Sequence, residues 1–278
     1  MLRSLWAKRH AQKWLWFSLT LLLLVVAAPL VWVVLGAFKT NAEIFGNPFS
    51  LPQSWKLDNL IQAWELGNFK TYLWNSIFIT AGAMILVLLS ACPAGYALAQ
   101  LNFRGSQWLF YFFLLGMAIP IQSIIIPIFL QMKSMNLINS LTGVVVVSAA
   151  FALPFSVFLM RNSFRDIPSE IREAAMMDGA EEWRAFVSIM LPMAKPGIVV
   201  LMVFTFMSVW NDFMLPLVLL ISNSKFTLAL GLYSFNSEQS TQYGLVFGGT
   251  LITMIPSIIV YLIFQRQFTS GMAAGMGK

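Results

Sequence analysis

A set of ionisable side chains gathers in one polar run of 24 residues, Glu173 to Pro196. Glu173, Asp178, Glu181, Glu182, Arg184 and Lys195 lie within it, in a chain of which only 10% is charged. Acids and bases at these spacings suit contact with basic or dipolar groups of another protein. They do not suit covalent chemistry. The only cysteine, Cys92, and the only histidine, His10, lie far apart. One of each excludes an internal disulfide and a Cys/His metal cluster, and leaves no Cys–His nucleophile. The run Gly-x-x-x-x-Gly-Lys-Ser/Thr is absent; the terminal Gly277-Lys278 lacks both the upstream glycine and the hydroxyl. No catalytic, cofactor or metal residue is therefore expected, and the chain reads as a non-enzyme.

A second candidate is Asp212, with Trp210 and Asn211 beside it. Asp212 falls inside an apolar stretch, where a charge is costly and marks a candidate functional position. Aromatic faces and amide groups suit sugars. Three other roles stay open for Asp212: an interfacial position, a cap on a helix broken before Pro216, or a contact with a partner subunit.

The elements that must position these residues are membrane spans. The chain has 278 residues, 59% of them hydrophobic. A soluble domain carries roughly 25% charged residues, so this composition describes an all-α polytopic membrane protein. Six stretches reach the roughly 20 apolar residues a helix needs to cross a bilayer. They lie near 14–37, 73–99, 108–130, 141–160, 197–221 and 243–264. The first follows a basic segment, as in a signal peptide. Its apolar run is too long for that, and Pro29 follows Ala27-Ala28 where cleavage would fall, so an uncleaved anchor is expected.

Lysine and arginine set the orientation. With residues 1–13 as a cytosolic tail, the inner set is Arg3, Lys8, Arg9, Lys13, Arg104, Arg161, Arg165, Arg172, Arg184, Lys195, Arg266 and Lys278. The outer set is Lys39, Lys56, Lys70, Lys133 and Lys225. Twelve against five accounts for all seventeen and follows the positive-inside rule. The net charge of +6 is then a topology signal, with the lipid bilayer as partner and no nucleic acid. Residues 38–70 become an external segment, 161–196 a cytosolic loop, and 266–278 a cytosolic tail. Tyr72 and Trp74 are expected in an interfacial aromatic belt.

Within the loop two short helices are expected. Asp166 is placed to cap the first, with Pro168 in its first turn. Gly179 supplies a positive φ that ends it. Glu181 and Glu182 open the second, and Pro192 terminates it. Ala174 and Ala175 leave one face bare for another backbone. Phe186, Ile189 and Met190 form an apolar stripe. The same loop also reads as a solvated connector. Prolines recur in every span, and Ala81-Gly82-Ala83, Ala91/Gly95/Ala99 and Gly248-Gly249 are expected close-packing sites between helices.

Glu173-Ala174-Ala175, Asp178-Gly179-Ala180 and Leu191-Pro192 with Pro196 resemble the signature cytosolic loop of inner-membrane permease subunits of bacterial ABC importers. Ile167-Pro168 and Phe186 make the loop similar to the carbohydrate-uptake branch, most like its maltose-type permease with six spans. Asn75-Ser76-Ile77, Ala94-Gly95-Tyr96-Ala97-Leu98-Ala99, Leu137-Ile138-Asn139-Ser140, Trp210-Asn211-Asp212-Phe213 and the tail from Gln265 to Lys278 resemble it too.

The resemblance implies six transmembrane helices in the type I ABC importer fold, with a transmembrane core over 71–265. It implies import of a sugar, oligosaccharide or sugar derivative across a bacterial inner membrane. The implied partners are a second, different permease, an ATPase dimer and an external solute-binding protein. Glu173, Ala174, Ala175, Asp178, Gly179 and Ala180 would contact the ATPase, and Trp210, Asn211 and Asp212 would line the substrate pathway. Two alternatives stand beside it. One is the same importer class acting on glycerol phosphate or another polar solute. The other is a proton-coupled secondary transporter using Asp212.

Overall fold

The structure is a computed structural model. It describes the backbone of residues 2–235 and 242–276, and side chains over 12–235 and 242–265. The side chains of Arg3, Lys8, Arg9 and the tail 266–278, and part of the 222–242 loop, lie outside the described residues.

In chain order the helices are α1 (Leu2–Gly36), α2 (Asn41–Gly46), α3 (Asp58–Leu66), α4 (Phe69–Gln100), α5 (Ser106–Met117), α6 (Ile121–Ser134) and α7 (Leu141–Arg165). There follow α8 (Ser169–Met177), α9 (Glu182–Ala185), α10 (Leu191–Met193), α11 (Lys195–Trp210), α12 (Met214–Leu219), α13 (Leu228–Gly231) and α14 (Tyr243–Met276). No strand occurs among the described residues. Four helical segments are long and apolar enough to span a membrane: Gln12–Gly36, Phe69–Gln100, Leu141–Arg165 and Tyr243–Gln265. Two bent pairs would raise this to six.

One of those pairs is α5 with α6, bent by 100°. The stretch 108–130 is thus divided at residues 118–120. Pro120 sits in extended backbone at the α6 N-cap (φ −71°, ψ 134°). Proline biases the residue before it away from helix, which favours a break there. The stretch 197–221 is divided as well: α11 stops at Trp210, and α12 begins at Met214. Pro29, Pro93, Pro127, Pro154 and Pro256, by contrast, lie inside continuous helices.

The chain forms two compact units. The first comprises residues 1–67 and 234–254. The segment after α1 is held by specific bonds. Thr40 and Glu43 form a capping box at the start of α2. Lys39 is fully buried, and its ammonium donates to the carbonyls of Asn47 (3.1 Å) and Pro48 (2.9 Å). Asn59 donates to the carbonyls of Ala37 and Lys39, each at 2.9 Å. Phe247 packs edge-on against Trp32, with ring centroids 5.1 Å apart, and covers Gly36.

The second unit comprises residues 68–233 and 255–278, and α4 packed on α7 is its centre. Ala83 and Ala91 are fully buried. A Cβ on Gly95 would lie 2.6 Å from Met160 Cβ and 2.8 Å from the Arg161 nitrogen. One on Gly82 would lie 3.0 Å from Val145. The two helices therefore approach closely at both glycines, as small residues permit in membrane bundles. Tyr72 departs from the expected aromatic belt. It is buried, and its hydroxyl donates to Asn223 Oδ1, because the 222–228 segment folds over the start of α4. Trp74 is 63% exposed.

Candidate coupling loop and substrate cavity

The loop between α7 and α11 is built from α8, α9 and the turn between them. Helix α8 ends in a Schellman motif, whose two bonds satisfy carbonyls that a helix end would otherwise leave unpaired. Ala180 N–H donates to Ala175 O (3.0 Å), and Gly179 N–H donates to Met176 O (3.1 Å). Gly179 takes φ +84°, which a residue without Cβ adopts freely. This is the conformation its position in the sequence predicts.

The start of α8 differs from the expectation. Asp166 caps no helix N-terminus; it is the C-terminal cap residue of α7. Pro168 occupies the N-cap position of α8, with no side-chain cap bond. Because α7 runs on to Arg165, Asp166 falls at its C-terminal cap, two residues ahead of the α8 N-cap position.

Pro192 also departs from its expected role as a terminator. The backbone widens to a π-turn over Phe186–Met190, with Leu191 N–H donating to Phe186 O, and helix continues to Met193. Proline lacks an N–H to donate, so a rewound turn and a first-turn position accommodate it. The break falls at Ala194, where the chain bends by 75° into α11. Glu181 stands in extended backbone just before α9, and Glu182 opens it, as expected. Phe186 and Met190 of the apolar stripe are buried, and Ile189 is half-buried.

The signature residues divide between two faces. Glu173, Ala174, Asp178 and Gly179 are exposed, Ala180 is half-buried, and Ala175 is turned inward, 7% exposed. The two alanines therefore do different work. Ala174 leaves the outer face low, and Ala175 lets α8 sit close to its own chain. Met177 (87% exposed) and Trp183 (68%) extend the outer face with apolar surface. Neither was singled out by motif.

The inner side is clasped to the transmembrane core. Arg172 on α8 grips Glu182 on α9 with two bonds, Nε to Oε1 at 2.8 Å and Nη2 to Oε2 at 2.5 Å. Such paired contacts fix orientation as well as adding energy. The Tyr96 hydroxyl, near the end of α4, donates to Glu182 Oε1. The Tyr96 ring lies 4.8 Å from Phe186 and 5.5 Å from Phe164. The Arg172 guanidinium holds the Glu182 carboxyl below the usual carboxylate range; burial opposes this and the Tyr96 hydroxyl supports it. Arg172 is raised in turn, chiefly by Glu182. Nothing in the sequence pairs residues 96, 172 and 182, so this clasp is visible only in three dimensions.

The second candidate site lies at the other end of α11. Asp212 Oδ1 accepts N–H bonds from Met214 (2.9 Å) and Leu215 (3.4 Å), so its carboxylate caps α12 at the break. Asp212 also lines a cavity of about 290 Å³, with Ile121, Ser148, Phe151, Ser208 and Leu215 in the wall. Trp210 and Asn211 are not part of that wall. Trp210 is buried and stacks on Phe206 at 5.3 Å. Asn211 donates to Met207 O (2.8 Å) and accepts from Ser257 (3.3 Å).

Two further asparagines organise this end. Asn75 donates to the carbonyls of Ser224 and Phe226, each at 2.9 Å. Asn139, at φ +54°, accepts from Ile221 N–H (3.1 Å) and Ser222 N–H (3.0 Å). Both fasten the 221–226 segment to the starts of α4 and α7.

Known proteins resemble this chain in sequence and fold. Residues 91–272 match the family described as "Binding-protein-dependent transport system inner membrane component". The chain is 37% identical over 253 residues to a diacetylchitobiose uptake system permease protein of Streptomyces coelicolor, covering 90% of this chain and 84% of that one. It is 32% identical to an arabinooligosaccharides transport system permease protein of Halalkalibacterium halodurans, covering 90% and 91%. Its fold is similar to a chain of a bacterial ABC transporter involved in import of the acidic polysaccharide alginate, with TM-score 0.80, 24% identity, and 90% and 93% coverage. That likeness establishes the all-α type I importer architecture. With 182 residues of family match, and relatives aligned along nine-tenths of its length, the chain belongs to the binding-protein-dependent inner-membrane permeases of ABC importers, non-enzymatic multi-pass subunits whose family works with a separate ATPase and a substrate-binding protein.

Proposed function

We infer that this permease imports a sugar, oligosaccharide or sugar derivative, and that ATP drives it through α8 and the turn that follows. Glu173, Ala174, Ala175, Asp178, Gly179 and Ala180 form the contact with an ATPase subunit. Two ATPase subunits serve this chain and a second, different permease, and an external binding protein delivers the cargo. Both termini are placed in the cytosol, a reading that the twelve-to-five distribution of basic residues supports. The sugar class is supported by the relatives, whose names specify diacetylchitobiose, arabinooligosaccharides and starch degradation products.

The observation that carries the drive mechanism is the geometry of α8. Its outer face is exposed, its end is fixed by the Gly179 turn, and its inner side is clasped to α4 through Arg172, Glu182 and Tyr96. A push on α8 therefore reaches a transmembrane helix through bonded contacts. When nucleotide closes the ATPase dimer, the paired loops approach one another and the bundles tilt, alternating access. The chain itself makes and breaks no covalent bond.

Gly179→Ile tests this reading. A Cβ at Gly179 meets nothing within 4 Å, so the penalty is backbone strain alone, about 1–2 kcal/mol for a left-handed residue. The expected result is weaker co-purification of the ATPase and a several-fold loss of ATP-driven uptake, with Gly179→Asn near wild type because asparagine tolerates this region. Wild-type uptake with normal ATPase association in Gly179→Ile would contradict the assignment.

A further inference from the structure

Two helix breaks converge on the Asp212 cavity. Ile121 stands at the first position of α6, directly after the 100° bend, and Leu215 is the second residue of α12, just past the 211–213 break. Irregular backbone at membrane depth persists where it is buried or lines a cavity, and discontinuous helices commonly build transport sites. The cavity also lies at a consistent depth. Asp212 is separated from the Ala194 bend by α11, about 24 Å of helix, and Ser148 from the end of α7 by about 25 Å. Both are thus most of a bilayer away from the coupling loop.

The cavity carries polar groups that its own fold leaves unused. Ser148 is 4% exposed, and its hydroxyl has no hydrogen-bond partner among the described residues. A buried polar atom without a partner destabilises the fold that leaves it so. Asp212 spends Oδ1 on the α12 backbone and leaves Oδ2 without a bond to any described residue. Ser208 adds a second hydroxyl, and Phe151 supplies a ring face. One acidic acceptor, two hydroxyls and an aromatic plane form a set that hydroxyl groups on a ring can satisfy together. The volume, about 290 Å³, is at the small end for ligand sites and suits one ring rather than a whole oligosaccharide.

We propose that Ser148 and Asp212 form a sugar subsite belonging to this subunit, which holds one ring of the cargo during translocation; this rests on the sugar-import reading above. A ring hydroxyl donates to Asp212 Oδ2, another pairs with Ser148 Oγ, and the apolar ring face lies against Phe151.

The test uses the complete transporter in proteoliposomes, with ATP on the ATPase side and tritiated diacetylchitobiose, arabinobiose and maltose as probes. Asp212→Asn keeps an oxygen for the α12 cap but loses the charge. Ser148→Ala removes the hydroxyl, and Ser148→Thr restores one. The expected result is about a tenfold fall in sugar uptake for Asp212→Asn and about fivefold for Ser148→Ala. Ser148→Thr should recover, and ATPase activity stimulated by the binding protein should stay at the wild-type level in all three. Wild-type uptake in both Asp212→Asn and Ser148→Ala overturns the subsite while leaving sugar import standing. Loss of uptake together with ATPase stimulation in Asp212→Asn, unaccompanied by any change in Ser148→Ala, overturns it in favour of a capping role alone. A wild-type transporter that moves none of the three probes but accepts another solute overturns the sugar reading and the subsite with it. So does uptake whose dependence on sodium or protons is what Asp212→Asn abolishes.

Discussion

Glu182 shows how one side chain can join two levels of the molecule. It receives Arg172 from α8 and Tyr96 from the long helix α4. Arg172 and Glu182 are 21% and 37% exposed, so solvent screens the pair and its worth is about 0.5–1 kcal/mol. Glu182→Gln should therefore leave the protein folded, with a modest loss of thermal stability in detergent. The pH dependence has a definite sign. A carboxyl whose folded pKa is depressed contributes stability above its unfolded pKa, and that contribution is lost as pH falls through the folded value. The gap between wild type and Glu182→Gln should be present at pH 7 and close below the ordinary carboxylate range. A gap that persists or widens in acid would show that the Arg172 bond is not its source. At this scale the sequence was informative where a residue's role is local. Gly179 declared its turn because only a positive φ ends a helix in that way. Ser148 and Tyr96 did not declare theirs, because an unpaired hydroxyl and a clasp 86 residues long are properties of packing.

Among the elements, α4 and α7 carry the packing of the second unit, and their spacing is set by glycines. At Gly95 the atoms in the way include the backbone nitrogen of Arg161, which cannot rotate aside. Gly95→Val should thus force the helices apart and cost about 1–3 kcal/mol, read as a lower melting temperature and reduced yield of the assembled transporter. An unchanged melting temperature would mean that α4 and α7 do not meet there. The long apolar segments were legible because about 20 apolar residues have few other fates. The breaks were less so. Proline occurs both inside continuous helices, as Pro93 and Pro154, and beside bends, as Pro120. Whether a proline breaks a helix depends on which neighbours satisfy the freed carbonyl, and that is a tertiary fact. Pro192 illustrates the point, since a π-turn absorbs it and the break moves to Ala194.

For the whole molecule, orientation and drive belong together. An α8 that faces the cytosol can be pushed by an ATPase; one that faces outward cannot. Cys92 is the only cysteine and is buried, which makes labelling simple. In a Cys92→Ala background, Met177→Cys should react with an impermeant maleimide only after the cells are opened, because residue 177 is exposed on the loop. Labelling of intact cells would reverse the topology and remove the coupling loop from the ATPase. The most direct measurement is uptake in proteoliposomes, comparing the complete assembly with this chain alone, under ATP and under a proton gradient. The expected result is uptake only by the complete assembly and only with ATP. Uptake by this chain alone, driven by the proton gradient without ATP, would contradict it.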